Sequence, residues 1–307
     1  MKLLRRLDKP RPGSAGCVVT IGSFDGIHIG HQALIGRARA LAAERGCASM
    51  VLSFEPLPRE FLRSADPPAR LTDLRERWRL IEALGVERFC VLPFGARLSQ
   101  VSGREFMGML REAGVRCIVV GHDFRFGRGG EADAEWCAAH AAEFGLGVDI
   151  VPPVRVAGER VSSGLVRAAL ARGDFARAAR LLGRPYSMRG RVRYGQQLGR
   201  RLGFATANIA MHRRQLPLAG ILAVRVSGAG LTHWPGVASL GTRPTVNGVE
   251  PLLEAHLFDY AGDLYGCELE VEFVAKLRDE LRFEALDELV EQMHRDAAAA
   301  RRALAGS

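Results

Sequence analysis

The chain lacks any long run of apolar residues. Its longest apolar stretches, such as 117–120 and 221–224, are far shorter than the ~20 residues that a membrane-spanning helix needs. The basic N-terminus is interrupted by Asp8 and Pro10 before an apolar stretch begins, so no secretory signal is predicted. We therefore expect no membrane segment and a cytoplasmic location.

Cysteine pairs of the C-x-x-C type are also absent. The six cysteines are scattered along the chain, mostly among apolar neighbours. Zinc sites and disulfide frameworks in small domains show regular cysteine spacings. We therefore expect reduced, buried thiols and no structural metal.

Lysine is scarce, with three residues against forty arginines, and the net charge is +9. Residues 1–185 account for +8 of this charge and residues 186–307 for +1. No block of five or six like charges marks a nucleic-acid-binding tail. The excess can attract polyanions, but codon bias in a glycine-rich chain explains the arginines equally well.

The first half of the chain alternates short apolar runs with amphipathic stretches, which is typical of βα units and a parallel sheet. A capping box at Ser102 and Glu105 predicts the start of one helix. These features indicate a doubly wound, Rossmann-like α/β domain. The predicted strands are 17–21, 49–54, 88–92, 117–120 and 148–151, and the other predicted helices are 31–45 and 74–84.

A change of pattern follows two short predicted helices within 163–182. Short β-rich segments separated by glycine and proline then predict a small antiparallel barrel. An alanine-rich helix is predicted over 286–304. We therefore expect domains at 1–185 and 186–307. The predicted barrel strands are 188–194, 222–226, 237–240, 252–258 and 269–274.

The segment GSFDGIHIGH, residues 22–31, follows a predicted strand and opens a helix. Glycine lets the backbone approach a ligand, and a helix N-terminus offers free N–H groups to phosphates. His28 and His31 could donate hydrogen bonds to a phosphate whose charge grows during transfer. A helix cap or a surface position is the alternative role for either histidine. The segment therefore predicts a nucleotide phosphate site.

This segment resembles the H-x-G-H nucleotidylyltransferases, and within them the bacterial bifunctional riboflavin kinase and FMN adenylyltransferase (FAD synthetase) family. Further segments fit that family in the same order and extend the resemblance over nearly the whole chain. They are LSFEPLPREF (52–61), VVGHDFRFG (119–127), VSSGLVRAAL (161–170), LLGRPYSMRGRV (181–192), GTRPTV (241–246), LEAHLFDYAGDLYG (253–266) and RDELRFEALDELVEQM (278–293).

In the N-terminal domain, the resemblance implies transfer of AMP from ATP to FMN, with His28 and His31 catalytic. Asp123, Phe124 and Phe126 follow a strand and could bind the flavin ring, although one of the two phenylalanines is expected to belong to the core. The predicted ATP and phosphate ligands are Gly22, Ser23, Phe24, Asp25, Gly26, Gly30, Ser162, Ser163 and Arg167. An ordinary helix cap with a solvent-exposed arginine is the alternative for the last three.

In the C-terminal domain, the resemblance implies phosphorylation of riboflavin by Mg²⁺-ATP. Gly199 and Gly203 would belong to a flap over the phosphates. Thr206 and Asn208 offer the oxygen ligands that Mg²⁺ accepts. Glu254 stands in the position of the catalytic base, although its strand could equally be a half-exposed one with Glu254 on its outer face.

The chain departs from the family pattern at four positions. Ser23 stands where the family usually has asparagine, Leu57 where it has histidine, Gly164 where it has threonine or serine, and Ala205 where it has proline. A lost charge-assisted hydrogen bond costs ~1.5 to 3 kcal/mol, so Leu57 and Gly164 could weaken adenylyl transfer.

The leading hypothesis is a bifunctional enzyme that uses riboflavin, FMN and ATP, with no nucleic-acid or membrane partner. A riboflavin kinase with a decayed adenylyltransferase site is the alternative that Leu57 and Gly164 motivate. A flavin- or nucleic-acid-binding regulator is the third hypothesis, although no recognition helix supports it.

Overall fold

The computed structural model describes residues 1–10, 12–195, 203–211, 213–245 and 248–306. The chain divides into two compact units. One consists of Met1–Pro68 and Leu74–Ser162, and the other of Ala69–Asp73 and Ser163–Ser307. Within these described ranges, no helix is both long enough and apolar enough to cross a bilayer.

The first unit contains a parallel sheet. The strands of this unit are β1 (Lys2–Leu4), β2 (Cys17–Ile21), β3 (Ala48–Glu55), β4 (Arg88–Pro93), β5 (Val115–Gly121), β6 (Arg125–Phe126), β7 (Ala132–Asp133), β8 (Gly147–Val151), β9 (Arg155–Val156) and β10 (Glu159–Arg160). Six of them form one sheet in the order β1-β4-β3-β2-β5-β8, and all of its pairings are parallel. Because β3 and β5 flank β2, the strand order reverses there, and ligands of such sheets bind at the carboxyl ends of these strands.

Helices cover both faces of this sheet. They are α1 (Ile29–Glu44), α2 (Pro58–Leu62), α3 (Leu74–Ala83), α4 (Ala96–Ser99), α5 (Gly103–Glu112) and α6 (Ala134–His140). Val19 of β2 belongs to the same apolar cluster as Phe106 and Leu110 of α5. Its neighbour Val18 clusters with Ala38 and Leu41 of α1, because successive strand residues point to opposite faces. The doubly wound fold is therefore confirmed.

The predicted capping box of α5 is present. Ser102 Oγ accepts from the backbone N–H of Glu105 at 3.2 Å, and the Glu105 carboxylate accepts from the backbone N–H of Ser102 at 2.8 Å. All five predicted strands of this half are also found. The elements that sequence patterning missed are β1, the pairs β6–β7 and β9–β10, and helices α2, α4 and α6. Each has between two and seven residues, too few to show a clear period.

The six cysteines are free thiols, and four of them are buried. Burial raises the pKa of Cys17 and of Cys137 to about 11, and that of Cys90 to about 12. These thiols are therefore protonated at neutral pH and act as small apolar side chains.

The second unit contains a closed antiparallel barrel, which confirms the predicted architecture. Its strands are β11 (Ser187–Arg193), β12 (Ala207–Ala210), β13 (Gly220–Gly228), β14 (Leu231–Thr245), β15 (Gly248–Leu257) and β16 (Glu268–Arg278), and its helices are α7 (Ser163–Ala171), α8 (Phe175–Leu182) and α9 (Leu286–Ala305). The strand order around the barrel is β11-β12-β15-β14-β13-β16. Sequence patterning missed β12, whose four residues are too few to show a clear period.

Helix α9 packs on the outside of the barrel. Its residue Ala300 is fully buried in a cluster with Ala223 and Phe258. The side chain of Asp296 on the same helix accepts two hydrogen bonds from the Arg278 guanidinium, at 2.8 and 2.5 Å. Gln292 donates to the same carboxylate at 2.9 Å. A bidentate, largely buried ion pair thus fixes the helix to β16.

We expect Asp296→Ala to lower the free energy of unfolding by about 2 to 3 kcal/mol, because the partly buried Arg278 loses its carboxylate partner. Asp279→Ala is the matched control, since that carboxylate is exposed and pairs with Lys276 on the surface; its effect should stay below about 0.5 kcal/mol. Urea unfolding followed by circular dichroism measures both values. Equal losses in the two variants would contradict the assigned role of the buried pair.

Candidate active sites

The loop between β2 and α1 has an uncommon backbone. Gly26 has φ +88°, and the non-glycine residues Phe24 and Ile27 have φ +49° and +44°. Left-handed φ values are rare for bulky and β-branched side chains and cluster at functional sites. Phe24, Asp25 and Ile27 are each at most 2% exposed, so the surrounding core holds the loop in this shape. Any contact of Phe24 with a phosphate must therefore come from its backbone.

His28 is the N-cap of α1, and its Nδ1 accepts a hydrogen bond from the backbone N–H of His31 at 3.2 Å. The capping role considered as an alternative for these histidines is thus real. It does not compete with ligand binding, because an imidazole that accepts at Nδ1 carries its proton on Nε2. The cap therefore makes Nε2 of His28 a hydrogen-bond donor.

The rings of His28 and His31 are stacked, with centroids 3.6 Å apart and planes 15° from parallel. The ring of Phe24 lies 5.1 Å from that of His31. Burial, followed by the neighbouring His28, lowers the pKa of His31 well below its usual range. Nδ1 of His31 is buried and has no hydrogen-bond partner among the described residues. His31 is therefore neutral at pH 7.

Gly30 is required by close packing at the start of α1. A Cβ atom there would lie 3.2 Å from the His28 ring and 3.9 Å from the carbonyl oxygen of Val161. The glycine thus lets the His28 ring lie close to the first turn of α1, near which the chain at Val161 also passes. Within the first unit, the structure brings Ser162 into the same region as the loop.

Asp123, Phe124 and Phe126 follow β5, whose carboxyl end neighbours that of β2. The rings of Phe124 and Phe126 stack with centroids 5.2 Å apart, and both pack partly buried against the sheet core. Phe126 also contacts Trp136 edge to face at 5.8 Å. The Asp123 carboxylate forms an ion pair with Arg160 at 2.7 Å. Both phenylalanines are thus half core and half surface.

Sequence reasoning missed Arg77 of α3, which is fully buried. Its guanidinium donates to the carbonyl oxygen of Ser23 at 3.2 Å, to Ser53 Oγ at 2.9 Å and to the Glu55 carboxylate. One signal could have revealed it. Arg77 occurs on the apolar face of α3, three residues after Leu74 and four before Ile81.

An aromatic cluster at the ends of β3 and β4 was also missed. Phe94 contacts Phe54 at 5.6 Å and Phe61 at 5.8 Å, edge to face in both pairs. Phe61 is 38% exposed. Phe54 belongs to the same core cluster as Phe124 and Phe126, so exposed ring surface lies on both sides of the β2 loop along the carboxyl edge of the sheet.

Leu57, where the resemblance implies a histidine, is 4% exposed and precedes α2. Its backbone N–H donates to the Glu60 carboxylate at 3.0 Å. In this chain the position serves packing.

Ser163 and Arg167 belong to α7 in the second unit. Arg167 Nε donates to the carbonyl oxygen of Ala69 at 2.5 Å. The contact of these residues with ATP stays a prediction.

A cavity of about 430 Å³ opens on the barrel. Its wall contains Thr206 and Asn208, together with the rings of Tyr260 and Tyr265. A second cavity of about 360 Å³ lies between the barrel and α9 and is lined by Gly203, Phe204 and His256, among others. Gly199, the other predicted flap glycine, lies outside the described residues.

Three polar side chains lie in one row across the barrel. Glu254 of β15 pairs with Asn208 of β12 on one side and with Ser239 of β14 on the other. Glu254 and His256 are half exposed, whereas their neighbours Ala255 and Leu257 are buried in the barrel. Glu254 therefore lies on the outer face of its strand, as the alternative reading expected, and also directly beside Asn208.

The donor set at this row suits a hard cation. A Cβ atom on Gly195 would lie 2.4 Å from the Asn208 amide, so the glycine makes room for that side chain. Hydroxyl, amide and carboxylate oxygens are the ligands that Mg²⁺ prefers. Within the described ranges, no group of three or more His, Cys, Asp or Glu side chains could hold a metal ion.

Sequence models of two families match the chain. The model of FAD synthetases matches residues 11–165, and the model of riboflavin kinases matches residues 182–304. A bifunctional riboflavin kinase/FMN adenylyltransferase of Pseudomonas fluorescens is 45% identical over 98% of this chain and 97% of its own length. The protein of the same name from Escherichia coli K12 is 41% identical over the same shares.

A solved structure is also similar. It is described as a macrolide-efflux protein from Streptococcus pneumoniae, is 30% identical, and has a TM-score of 0.80 over 97% of this chain and 98% of its own. The similarity thus extends over nearly the full length of both chains.

We expect the His31 ring to stay neutral where ordinary histidines titrate, at about pH 6.5. Because the folded-state pKa is lowered, the unfolded state binds more protons below pH 6.5, and the free energy of unfolding falls as the pH falls through that value. His31→Asn should remove this loss between pH 8 and 5.5, whereas His233→Asn in the other unit should not. Urea unfolding at pH 8 and at pH 5.5 measures the change in the free energy of unfolding, and NMR follows the titration of the His31 ring. Titration of this ring at the usual pH of a histidine would contradict the lowered pKa.

Proposed function

This chain belongs to the family of bifunctional riboflavin kinase/FMN adenylyltransferases, and we propose that it catalyses both reactions. The barrel unit phosphorylates riboflavin with ATP to give FMN and ADP. The sheet unit then transfers AMP from a second ATP to FMN, giving FAD and diphosphate. The observation that carries the proposal is that the models of FAD synthetases and of riboflavin kinases match two separate parts of the chain, residues 11–165 and 182–304.

In the adenylyl step, a phosphate oxygen of FMN attacks the α-phosphorus of ATP, and the bond to the diphosphate breaks. No covalent enzyme intermediate is needed, so the protein contributes alignment and charge stabilisation. Nε2 of His28 donates to a phosphate oxygen as charge develops. The neutral His31 ring supports His28 through their stacking.

The proposed phosphate ligands come from two stretches of the chain. Gly22, Ser23, Phe24, Asp25, Gly26 and Gly30 contribute backbone groups at the helix start, where free N–H groups favour anions. Ser162, Ser163 and Arg167 would hold the remaining phosphates through hydroxyl, N–H and guanidinium donors.

The flavin ring of FMN would lie on exposed aromatic surface. Phe124 and Phe126 present a stacked pair, and Phe61 offers a further exposed ring. Asp123, whose Oδ2 pairs with Arg160, could accept a hydrogen bond from the flavin on its other oxygen. Flat apolar surface with few polar contacts suits such a ring.

In the kinase step, Glu254 would accept the proton of the ribityl hydroxyl as that oxygen attacks the γ-phosphorus. Thr206 and Asn208 would hold Mg²⁺, which offsets the charge of the ATP phosphates when bound. Gly199 and Gly203 would belong to a flap over those phosphates. The pairing of Asn208 with Glu254 supports the placement of base and cation at one site.

We assign residues 1–185 to the adenylyltransferase and residues 186–307 to the kinase. Helices α7 and α8 precede this boundary in sequence but pack with the second unit. The six free thiols favour a reducing compartment such as the cytoplasm, where the enzyme would act on small substrates rather than on nucleic acid.

The relatives, which cover nearly the whole chain, favour the bifunctional enzyme over a kinase with a decayed first site. The deciding experiment supplies FMN, ATP and Mg²⁺ to the purified chain. FAD and diphosphate should form. Their absence, with riboflavin still converted to FMN, would leave only the kinase.

We expect His28→Ala to lower kcat for FAD formation by about 10²- to 10³-fold, because one positioned donor to the developing charge is lost. FMN formation should be nearly unchanged, and the double change of His28 and His31 to Ala should abolish FAD formation. His233→Ala is the matched control on an exposed histidine. Assays of FMN and FAD by chromatography measure both activities; equal loss of the two would contradict the division of labour.

We expect Glu254→Gln to lower riboflavin phosphorylation by about 10²- to 10⁴-fold through loss of the general base. Supplied FMN should still become FAD. Glu291→Gln, an exposed carboxylate on α9, is the control. Unchanged kinase turnover in Glu254→Gln would remove Glu254 from this role.

A further inference from the structure

Arg77 is the most deeply buried charged side chain of the first unit, with no exposed surface. Burying a guanidinium is costly unless it is paired and hydrogen-bonded. Its guanidinium meets the Glu55 carboxylate and the carbonyl oxygen of Phe54, the latter at 3.4 Å. These contacts, with those to Ser53 and Ser23, lie at the end of β3 and in the loop after β2.

The contact that links Arg77 to the adenylyl site is the carbonyl oxygen of Ser23. This oxygen accepts from Arg77 Nη1 at 3.2 Å and from Ser53 Oγ at 3.1 Å. Ser53 Oγ in turn accepts from Arg77 Nη1 at 2.9 Å. Arg77 and Ser53 together fix the direction of the peptide that joins Ser23 to Phe24.

That peptide opens the left-handed turn of the loop. Phe24 has φ +49°, a value that costs free energy and persists only where neighbours impose it. The Phe24 ring then lies against His31, which stacks on His28. A shift of the Ser23 carbonyl would therefore move the ring that supports both histidines.

We propose that Arg77 is a positioning residue for adenylyl transfer: from inside the domain, it holds the Ser23 carbonyl so that the strained loop keeps His28 aimed at the transferred phosphate. The inference rests on the proposed function of the first unit. Arg77 touches no substrate and takes no part in proton transfer.

The guanidinium is required for its shape as well as for its charge. One planar group reaches a carbonyl, a hydroxyl and a carboxylate at once, which an ammonium on a flexible stem cannot reproduce. Lysine at this position keeps the charge opposite Glu55 but cannot make all of these contacts together. The pair Arg77→Lys and Arg77→Met therefore separates charge from geometry.

The test compares Arg77→Lys, Arg77→Met and Ser53→Ala with Arg75→Met, an exposed arginine two residues away on the same helix. We expect kcat for FAD formation to fall about 100-fold in Arg77→Met, since a small misplacement of catalytic groups can cost that much. The same kcat should fall about 10-fold in Arg77→Lys and by a smaller factor in Ser53→Ala. KM for ATP and FMN should change less than about threefold, because the lost interaction acts on the transition state.

Two further measurements separate positioning from simple loss of folding. Thermal unfolding identifies variants that are folded at the assay temperature, and NMR titration follows the His31 ring. In Arg77→Lys and Ser53→Ala, which make the smaller change, the loosened loop should raise the pKa of His31 towards its usual value. Arg75→Met should behave as the unchanged chain does.

The outcomes are distinct. If the unchanged chain makes no FAD, the proposed function of the first unit is wrong. If it makes FAD, and the folded Arg77 and Ser53 variants match Arg75→Met in kcat and in His31 titration, the inference is wrong. A fall in kcat with little change in KM, together with a shifted His31 titration, supports it.

Discussion

The geometry of the first site depends on how one partly buried carbonyl group, that of Ser23, is satisfied where the sheet ends. A buried carbonyl left without a donor is costly. Here Arg77 and Ser53 both donate to it. The chain can then enter a left-handed turn, which places His28 where its Nδ1 caps α1 and its Nε2 carries the ring proton. The orientation of the two histidines thus depends on hydrogen bonds to a main-chain carbonyl.

The barrel site depends on a different constraint, the pleat of its strands. Because alternate residues face opposite sides, burying Ala255 and Leu257 in the barrel forces Glu254 onto the outer face. Register then decides its neighbours, and antiparallel pairing brings Asn208 directly beside it. A glycine at position 195 leaves room for the Asn208 amide. Apolar packing, strand register and this glycine together assemble the polar row.

Much of the fold could be predicted from the sequence, because the periodicity of apolar residues and the residue preferences of turns and caps are local properties. The parallel strands, the capping box at Ser102 and the closed barrel followed from such patterns. Contacts between distant segments were not accessible. Arg77 meets Ser23, 54 residues away, and nothing local to either residue predicts their contact. The β12 strand was missed for a related reason, since only its pairing with β11 and β15 makes four residues a strand.

The departures from the family pattern carry unequal weight once their surroundings are considered. At Ser23 the structure uses the main-chain carbonyl, which any residue supplies. At Leu57 the side chain is 4% exposed, and apolar packing there stabilises the segment that begins α2. Gly164, by contrast, is exposed at the start of α7, where a hydroxyl could reach a ligand and a hydrogen atom cannot. If adenylyl transfer in this chain is slower than in its relatives, the physical cause is therefore to be sought at Gly164 before Leu57 or Ser23.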